Sequence, residues 1–279
     1  MHAETQNPYD IEVDHRKCRR CSYCVRVCPA KAIKIGKEGF RVIRERCIMC
    51  GVCIRSCPQE ALTYHGGFPR VKEYFAHGVK TIAVLDPSFP IETDLGKPGQ
   101  LVSALKRIGF EEVWEGAFGA ELVSQAYFKL LRDETITPLI SSFCSAIIFC
   151  IQKYYPELIP NLAPVVSPMI AIGRVARHVK GPGWKIVYIT SCLARRGEMR
   201  APEVSGAIDE VITFADMRRL VGELGIDCSA LAETHFDGPR PYQGRIIPVI
   251  GGLYRNVSPS FDVLMDEISV IGGPRRTIE

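Results

Sequence analysis

Eight of the chain's 12 cysteines occur in two copies of one motif. Both copies have the spacing C-x2-C-x2-C-x3-C-P, and the second copy lies 29 residues after the first. Cysteine thiolates at this spacing bind [4Fe–4S] clusters, and the fourth cysteine of each copy binds the cluster of the other copy. The spacing therefore predicts two clusters, the first held by Cys18, Cys21, Cys24 and Cys57 and the second by Cys47, Cys50, Cys53 and Cys28.

Zinc is the alternative metal for a cysteine-rich segment, but eight cysteines at this spacing are not typical of zinc sites. Residues 12–65, which contain both motifs, resemble the bacterial two-cluster ferredoxins. The resemblance implies a small domain whose clusters carry electrons.

The segment around these motifs is strongly basic. Between Ile11 and Cys57 there are 12 Lys and Arg residues against 4 Asp and Glu residues, a net charge of +8, whereas the whole chain carries +4. Positive surroundings favour the reduced, more negative state of a cluster and raise its potential. They also favour docking to a redox partner with an acidic face. A solvated basic surface with no partner is the alternative, and the small total charge gives no indication of nucleic-acid binding.

The other four cysteines lie in a different context. A helix is predicted from near Ser142 to just before Pro156, with Cys150 on an apolar stripe where it packs in the core. The stripe consists of Phe143, Ile147, Cys150, Ile151 and Tyr154.

Cys144 falls in the first turn of that helix, where unpaired backbone N–H groups favour a thiolate or an anionic cluster. Cys192 lies just after a predicted strand, beside Arg195 and Arg196, and the loops at strand ends are where α/β folds build sites. Spacing alone leaves both ligation and packing open for Cys144 and Cys192. Cys228 lies in no motif and is interpreted as structural.

Beyond residue 65, apolar runs that indicate strands alternate with amphipathic runs that indicate helices. This order predicts an α/β domain with a parallel or mixed sheet. The predicted strands are 81–85, 184–190, 211–214 and 245–253, with a short strand and turn in 111–119, and the predicted helices are 101–110, 120–132 and 215–224.

Three segments of this region resemble the catalytic domain of the [FeFe]-hydrogenase superfamily, most closely its sensory, hydrogenase-like branch. They are ISSFCSAIIFCIQKYYPELIPNLAPVVSPMIAIGR, YITSCLARRGEMRAPEVSGAIDEVITFADMRRL and GRIIPVIGGLYRN, and the match runs from about residue 79 to the end. The resemblance implies a [4Fe–4S] cube with four cysteine ligands, one of which bridges to a diiron centre. Cys144 and Cys192 match the first two of these ligands.

Four departures from the family pattern surround the diiron position. Phe143 stands where the family has its proton-shuttling cysteine, Arg195 where it has a lysine, and Ser191 where it has a proline. The motif with the third and fourth ligands is expected after GGPRRTIE, but the sequence ends at Glu279. The resemblance therefore implies a degenerate domain, with no catalytic residues and no diiron centre. Cys144 and Cys192 would be a vestigial third site, at which a [4Fe–4S] cluster is possible but not favoured.

The resulting prediction is an α/β protein with an α+β part: a two-cluster ferredoxin domain with its linker in residues 1–75, then a two-lobed α/β hydrogenase-like domain in residues 76–279. The predicted function is that of a non-catalytic electron-transfer subunit that docks to a larger oxidoreductase complex. A redox or hydrogen-linked sensor and an active iron hydrogenase are the alternatives. The sequence has no secretory signal and no apolar run long enough for a membrane span, so a cytoplasmic, anaerobic protein is expected.

Overall fold

The computed structural model has two parts, a small four-stranded N-terminal unit and a larger unit built around a parallel sheet. The larger unit has an apolar core on each face of its sheet, and a further apolar cluster joins it to the smaller unit. The structure describes residues 11–36, 39–64, 66–92, 96–133, 138–257 and 269–270.

The N-terminal unit repeats a strand–helix–strand arrangement twice. Its elements are β1 (Ile11–Val13), α1 (Tyr23–Val27), β2 (Ile33–Gly36), β3 (Gly39–Val42), α2 (Val52–Arg55) and β4 (Leu62–Tyr64). β1 pairs with β4 and β2 pairs with β3, both antiparallel. Each pair joins one strand from each copy of the repeat, so neither copy forms its backbone hydrogen bonds alone. The two copies are interleaved.

The larger unit is organised by a four-stranded sheet in which all neighbouring strands are parallel. Its strands are β5 (Thr81–Leu85), β6 (Glu112–Glu115), β7 (Lys185–Thr190) and β8 (Glu210–Thr213). Their order across the sheet is β6, β5, β7, β8. The connections from β5 and from β6 therefore run in opposite directions across the sheet, which leaves a crevice outside the carboxyl ends of β5 and β7.

Helices cover both faces of this sheet, as parallel sheets require. The helices of the larger unit are α3 (Phe68–Ala76), α4 (Pro98–Ile108), α5 (Ala117–Asp133), α6 (Ser145–Tyr154), α7 (Pro168–Lys180), α8 (Ala194–Met199), α9 (Phe214–Glu223) and α10 (Gly252–Val257). Within the described ranges, no helix is long and apolar enough to cross a bilayer.

Alternate residues of β5 enter different cores because side chains of a strand point to opposite faces. Ala83 and Leu85 pack with α3, α4 and α9, whereas Ile82 and Val84 pack with α7. All five residues of β5 are buried, which explains why its sequence is a continuous apolar run rather than an alternating one.

Most predicted elements of this unit are confirmed, but the strand predicted at 245–253 is wrong. Gly244–Ile246 forms a 3-10 turn instead, and α10 begins at Gly252. Pro248 has no N–H to give to a sheet ladder, and Gly251 adopts a left-handed φ of 77°. Val249 and Ile250 are 54% and 71% exposed, so this apolar run is not buried in the sheet.

The linker between the two units also differs from the expectation. Pro69 lies in the first turn of α3, where its missing N–H leaves no bond unmade. Phe68 and Val71 on α3 are buried in the core of the larger unit. The predicted domain boundary after residue 75 therefore falls in the last turn of a helix that packs on the sheet.

Candidate metal centres

The eight cysteines of the repeated motif line two cavities of the N-terminal unit. The outer cavity is lined by Cys18, Cys21, Cys24 and Cys57, and the inner cavity by Cys28, Cys47, Cys50 and Cys53. These are the two groups of four to which the motif spacing assigned one cluster each. Within the described residues, no three Cys, His, Asp or Glu side chains converge closely enough to hold a single metal ion. Each group of four surrounds a cavity instead.

The loops around both cavities adopt a backbone conformation that L-residues avoid. Among the described residues, every non-glycine residue with a positive φ belongs to these loops, and each has a positive-φ counterpart 29 positions away. Each such residue costs about 1 kcal/mol or more, and residues of this kind cluster where a chain is shaped around a ligand. The pairs are Arg20 and Met49, Ser22 and Gly51, and Lys31 and Glu60.

Backbone amides point at several of the cysteine sulfurs. The N–H of Ala32 donates to Cys28 Sγ at 3.3 Å, and the N–H of Ala61 donates to Cys57 Sγ at 3.4 Å. These two bonds occupy equivalent positions of the repeat. Hydrogen bonds to sulfur stabilise thiolate charge and help to set the potential of a bound cluster.

Burial makes the inner cysteines poor thiolates on their own. Burial first, and the neighbouring cysteines second, raise the pKa of Cys50 to about 11 and the pKa of Cys53 to about 12. A thiolate here lacks the water that would stabilise its charge, whereas a cationic iron centre supplies that stabilisation directly. The donors, the shape of the loops and the environment therefore fit an iron–sulfur cluster.

In the larger unit, Cys192 follows β7 at the crevice beside β5. Asp86, the residue after β5, accepts hydrogen bonds from the hydroxyls of Tyr188 at 3.0 Å and Thr190 at 3.1 Å. The Thr190 hydroxyl oxygen in turn accepts the N–H of Cys192 at 3.1 Å. Asp86 thus fixes the loop that carries Cys192. The sequence analysis did not single out Asp86, although its place directly after the first strand of an α/β domain was an available signal.

Cys144 is the N-cap residue of α6, which begins at Ser145 rather than near Ser142 as expected. The Arg195 guanidinium bonds to the residues on both sides of it, donating to the Phe143 carbonyl at 3.1 Å and to Ser145 Oγ at 3.2 Å. Glu198 Oε2 accepts from Arg195 at 2.8 Å and from Ser145 at 2.6 Å. The Arg195 clamp, made of Arg195, Ser145 and Glu198, is buried and joins the Cys144 loop to the Cys192 loop.

Charge in the clamp is balanced inside the protein. Burial is the largest single influence and lowers the pKa of Arg195, but the charge and hydrogen bond of Glu198, together with the neighbouring Cys192 and Tyr188, raise it by more, so the net shift is upward and the guanidinium stays charged. Its plane also lies over the Phe143 ring, with 5.5 Å between the guanidinium carbon and the ring centroid. All of these partners belong to the chain itself.

The inner cavity adjoins the larger unit. Cys28, Cys47 and Cys53 share an apolar cluster with Cys150 on α6 and Ala194 on α8, and Cys144 and Cys192 pack at its edge. The close approach needs a small residue on α8, because a Cβ at Gly197 would lie 2.8 Å from Met49 Sδ.

Two side chains at the end of α6 hold the loops of the inner cavity. Lys153 Nζ donates to the Cys47 carbonyl at 2.7 Å. The Tyr154 hydroxyl lies 2.8 Å from the carbonyl oxygens of both Ala30 and Arg46. Tyr154 therefore reaches the N-terminal unit and is 38% exposed, which corrects its prediction as a core residue.

Of the remaining residue predictions for this region, one is confirmed and one is wrong. Cys150 is buried as expected, but Phe143 precedes the helix instead of lying on its apolar stripe, because the helix begins three residues later. Cys228 is buried in the sheet core with α4 and α9, in a different apolar cluster from Cys144 and Cys192.

Comparison with known families gives the same division into two units. A family model described as the iron only hydrogenase large subunit, C-terminal domain, matches residues 79–268, which is well over half of the chain. The chain belongs to this iron-only hydrogenase family. A model of a 4Fe-4S dicluster domain matches residues 10–71, so an iron–sulfur domain precedes the hydrogenase-family domain. The predicted family and fold class are confirmed.

Individual hydrogenases resemble the chain over most of its length. The periplasmic [Fe] hydrogenase large subunit of Nitratidesulfovibrio vulgaris is 29% identical over 90% of this chain and 67% of that protein. The NADP-reducing hydrogenase subunit HndD of Solidesulfovibrio fructosivorans is 24% identical over 87% of this chain and 42% of its own length. The chain thus spans between about two fifths and two thirds of these relatives.

A solved structure of the [FeFe]-hydrogenase HydA1 from Chlamydomonas reinhardtii is also similar. It superposes with a TM-score of 0.53 and 25% sequence identity, over 60% of this chain and 50% of that chain. Family membership and the iron–sulfur domain are therefore established for this protein. The ligands of each cluster, the number of clusters and the absence of a diiron centre stay predictions.

Proposed function

We propose that the protein is a non-catalytic electron-transfer subunit that carries two [4Fe–4S] clusters and docks to a larger redox complex. The outer cavity would hold one cluster and the inner cavity the other, through the four cysteines that line each. A bound cluster supplies one-electron redox chemistry at these positions. The hydrogenase-family domain serves as the scaffold that fixes the iron–sulfur domain in place.

The observation that carries the proposal is the unequal placement of the two cavities. The inner cavity packs against α6 and α8, and its cysteines Cys28, Cys47 and Cys53 are buried. Cys21 of the outer cavity is exposed to solvent. The outer site is therefore suited to exchange with a partner, and the inner site faces the scaffold.

The surface around the outer cavity supports an acidic partner. Arg19 and Arg20 line the cavity, and Arg16, Lys17 and Arg26 are exposed nearby along the same loop and helix. Long-range attraction between such a face and an acidic one speeds association and weakens as salt is added. A cytoplasmic setting remains the expectation from the sequence.

The diiron side of the scaffold supports the loss of hydrogen chemistry. Phe143 presents an aromatic ring, which cannot transfer a proton. The Arg195 guanidinium donates hydrogen bonds to the Phe143 carbonyl, Ser145 and Glu198, and the Glu198 carboxylate neutralises its charge. A guanidinium held in this way cannot act as the lysine that the family pattern has at this position.

The deciding experiment is metal analysis of the anaerobically purified full chain together with electron paramagnetic resonance of the reduced protein. Two cubes predict about 8 Fe and 8 sulfide per chain and magnetically coupled signals. About 4 Fe would contradict the two-cluster assignment, and about 12 Fe would mean that a third cube is present.

Two further measurements separate the alternatives. An active hydrogenase would evolve hydrogen after co-expression with its maturation proteins and show infrared bands of CO and cyanide, and we expect neither. A sensor would co-purify with a signalling enzyme such as a kinase or phosphatase, whereas the proposed carrier co-purifies with a catalytic redox subunit. Replacing Arg19 and Arg20 with Glu should slow electron exchange with that subunit and reduce its dependence on salt.

A further inference from the structure

Lys153 reaches from the hydrogenase-family domain into the loop that leads to the inner cavity. It lies in the last turn of α6, and its Nζ donates to the Arg44 carbonyl at 3.1 Å and to the Cys47 carbonyl at 2.7 Å. Cys47 lines the inner cavity, and its sulfur accepts the N–H of Met49 at 3.4 Å. The bonded carbonyl and the sulfur belong to the same residue. A lysine ammonium is therefore held directly beside a predicted cluster ligand.

Burial distinguishes Lys153 from the arginines of the same loop. Arg44 and Arg46 are exposed, so water and salt screen their charges. Lys153 is half-buried where α6 packs against the inner cavity, and the adjoining Cys47 is buried. Charges interact more strongly in such a place than at an open surface. Lys153 is thus better placed than these arginines to act on negative charge in the inner cavity.

We propose that Lys153 raises the reduction potential of the cluster in the inner cavity. This inference rests on the proposed function, because it requires a cluster at that position. Reduction adds negative charge to a cluster, and a nearby cation stabilises the more negative state. Burial acts in the opposite direction, because an apolar environment penalises the added charge. Lys153 therefore offsets part of the effect of burial on the potential of the inner cluster.

This role gives the hydrogenase-family domain a part in electron transfer besides holding the iron–sulfur domain. In the proposed function the outer site, with its exposed Cys21, exchanges electrons with the partner. An electron passes inward when the outer cluster is oxidised and the inner cluster is reduced. The higher the potential of the inner cluster, the larger the fraction of electrons that reside there. Lys153 would thus favour the inner, scaffold-facing position.

The test is a redox titration of the anaerobically purified full chain, followed by electron paramagnetic resonance, which measures both midpoint potentials. Lys153→Met removes the charge and keeps the length of the side chain. It should shift the redox equilibrium of one cluster about tenfold toward the oxidised state, which for one electron lowers the midpoint by about 59 mV. The other cluster should shift less. Lys153→Arg keeps a cation with donors and should restore most of the potential.

Two control variants separate the effect of charge from that of attachment. Tyr154→Phe removes the neighbouring hydrogen bond between α6 and the inner loops but changes no charge, so both potentials should stay at their wild-type values. Lys106→Met removes a lysine charge from α4, which packs in a different apolar cluster from the inner cavity. It should also leave both potentials unchanged.

The outcomes separate the two proposals. If iron stays at about 8 per chain and Lys153→Met leaves both potentials unchanged, the inference about Lys153 is wrong and the proposed function stands. An equal fall in Tyr154→Phe would also overturn the inference, because loosened attachment would then explain the shift. If the wild type contains only about 4 Fe and Cys47→Ser retains it, the inner cavity holds no cluster and both proposals are wrong.

Discussion

The protein contains two kinds of cysteine site, and they are stabilised in opposite ways. Around the outer and inner cavities, Arg20, Ser22, Lys31, Met49 and Glu60 hold strained positive φ angles. Around Cys144 and Cys192 no described non-glycine residue is strained in this way, and Cys144 itself has an ordinary extended backbone with φ of −98°. The second site is held by the hydrogen bonds and ion pair of the Arg195 clamp.

This difference indicates which site depends on metal. Strained loops persist only where other interactions compensate for the strain, and the donors of both cavities are sulfurs that a cluster would join. In the clamp, by contrast, the charge of Arg195 is neutralised by Glu198, and Glu198 also accepts a hydrogen bond from Ser145. The clamp therefore needs no metal to balance its charge. The N-terminal unit should therefore need its clusters to keep its shape, whereas the Cys144–Cys192 site should not.

The largest expected effect comes from removing the iron. Chelation under reducing, anaerobic conditions should release the loops of residues 18–57, because the strain there is no longer offset, while residues 143–198 keep their structure. Hydrogen exchange followed by mass spectrometry should show a loss of protection in the first segment only. Cys21→Ser should reproduce part of this effect and remove about four irons. Equal loss of protection in both segments would contradict the proposed difference.

The two sites also differed in how far the sequence could predict them. The cysteine repeat is local, so it indicated both groups of four, and its 29-residue offset recurs in the strands, helices and φ angles. The clamp joins Arg195 to groups about 50 residues away along the chain. No local spacing indicates that contact, and only the fold brings its members together.

The contacts that join the two units could not be predicted either, because they also connect residues that are far apart in the sequence. Arg196 and Glu210 form a fully buried ion pair at 3.2 Å, and the Arg196 guanidinium carbon lies 5.7 Å from the centre of the Tyr64 ring. Gly67 is needed there because a Cβ would lie 2.1 Å from the Glu210 side chain. Gly67 therefore lets the chain pass close to a buried charge.

A smaller but substantial effect is expected from the clamp. Glu198→Gln removes the negative charge beside Arg195 and leaves a buried cation without its counter-ion, which should lower the free energy of unfolding by about 3–5 kcal/mol. Denaturant titration of the larger unit, followed by circular dichroism, measures this change. Iron content should stay at the wild-type value.

The control for this substitution is Glu223→Gln, which removes the same charge from exposed ion pairs with Lys72 and Arg219. Its effect should be much smaller, because water and salt screen exposed charges. Equal effects of the two substitutions would show that the clamp does not stabilise the domain. Loss of iron in Glu198→Gln would show that the clamp and the clusters are not independent.

The smallest effect concerns the contact through which the two regions meet. The Tyr154 hydroxyl has one proton to share between the carbonyl oxygens of Ala30 and Arg46, which belong to the loops of the inner cavity. Because Tyr154 is 38% exposed, water can replace this bond in part. Tyr154→Phe should therefore raise the local opening constant of residues 28–47 only about fivefold, equivalent to about 1 kcal/mol. Tyr155→Phe, the same chemical change at the adjacent and similarly exposed residue, should leave hydrogen exchange in that segment unchanged. If the two variants exchange alike, Tyr154 does not hold the inner loops, and their attachment to the scaffold depends on apolar packing and Lys153 alone.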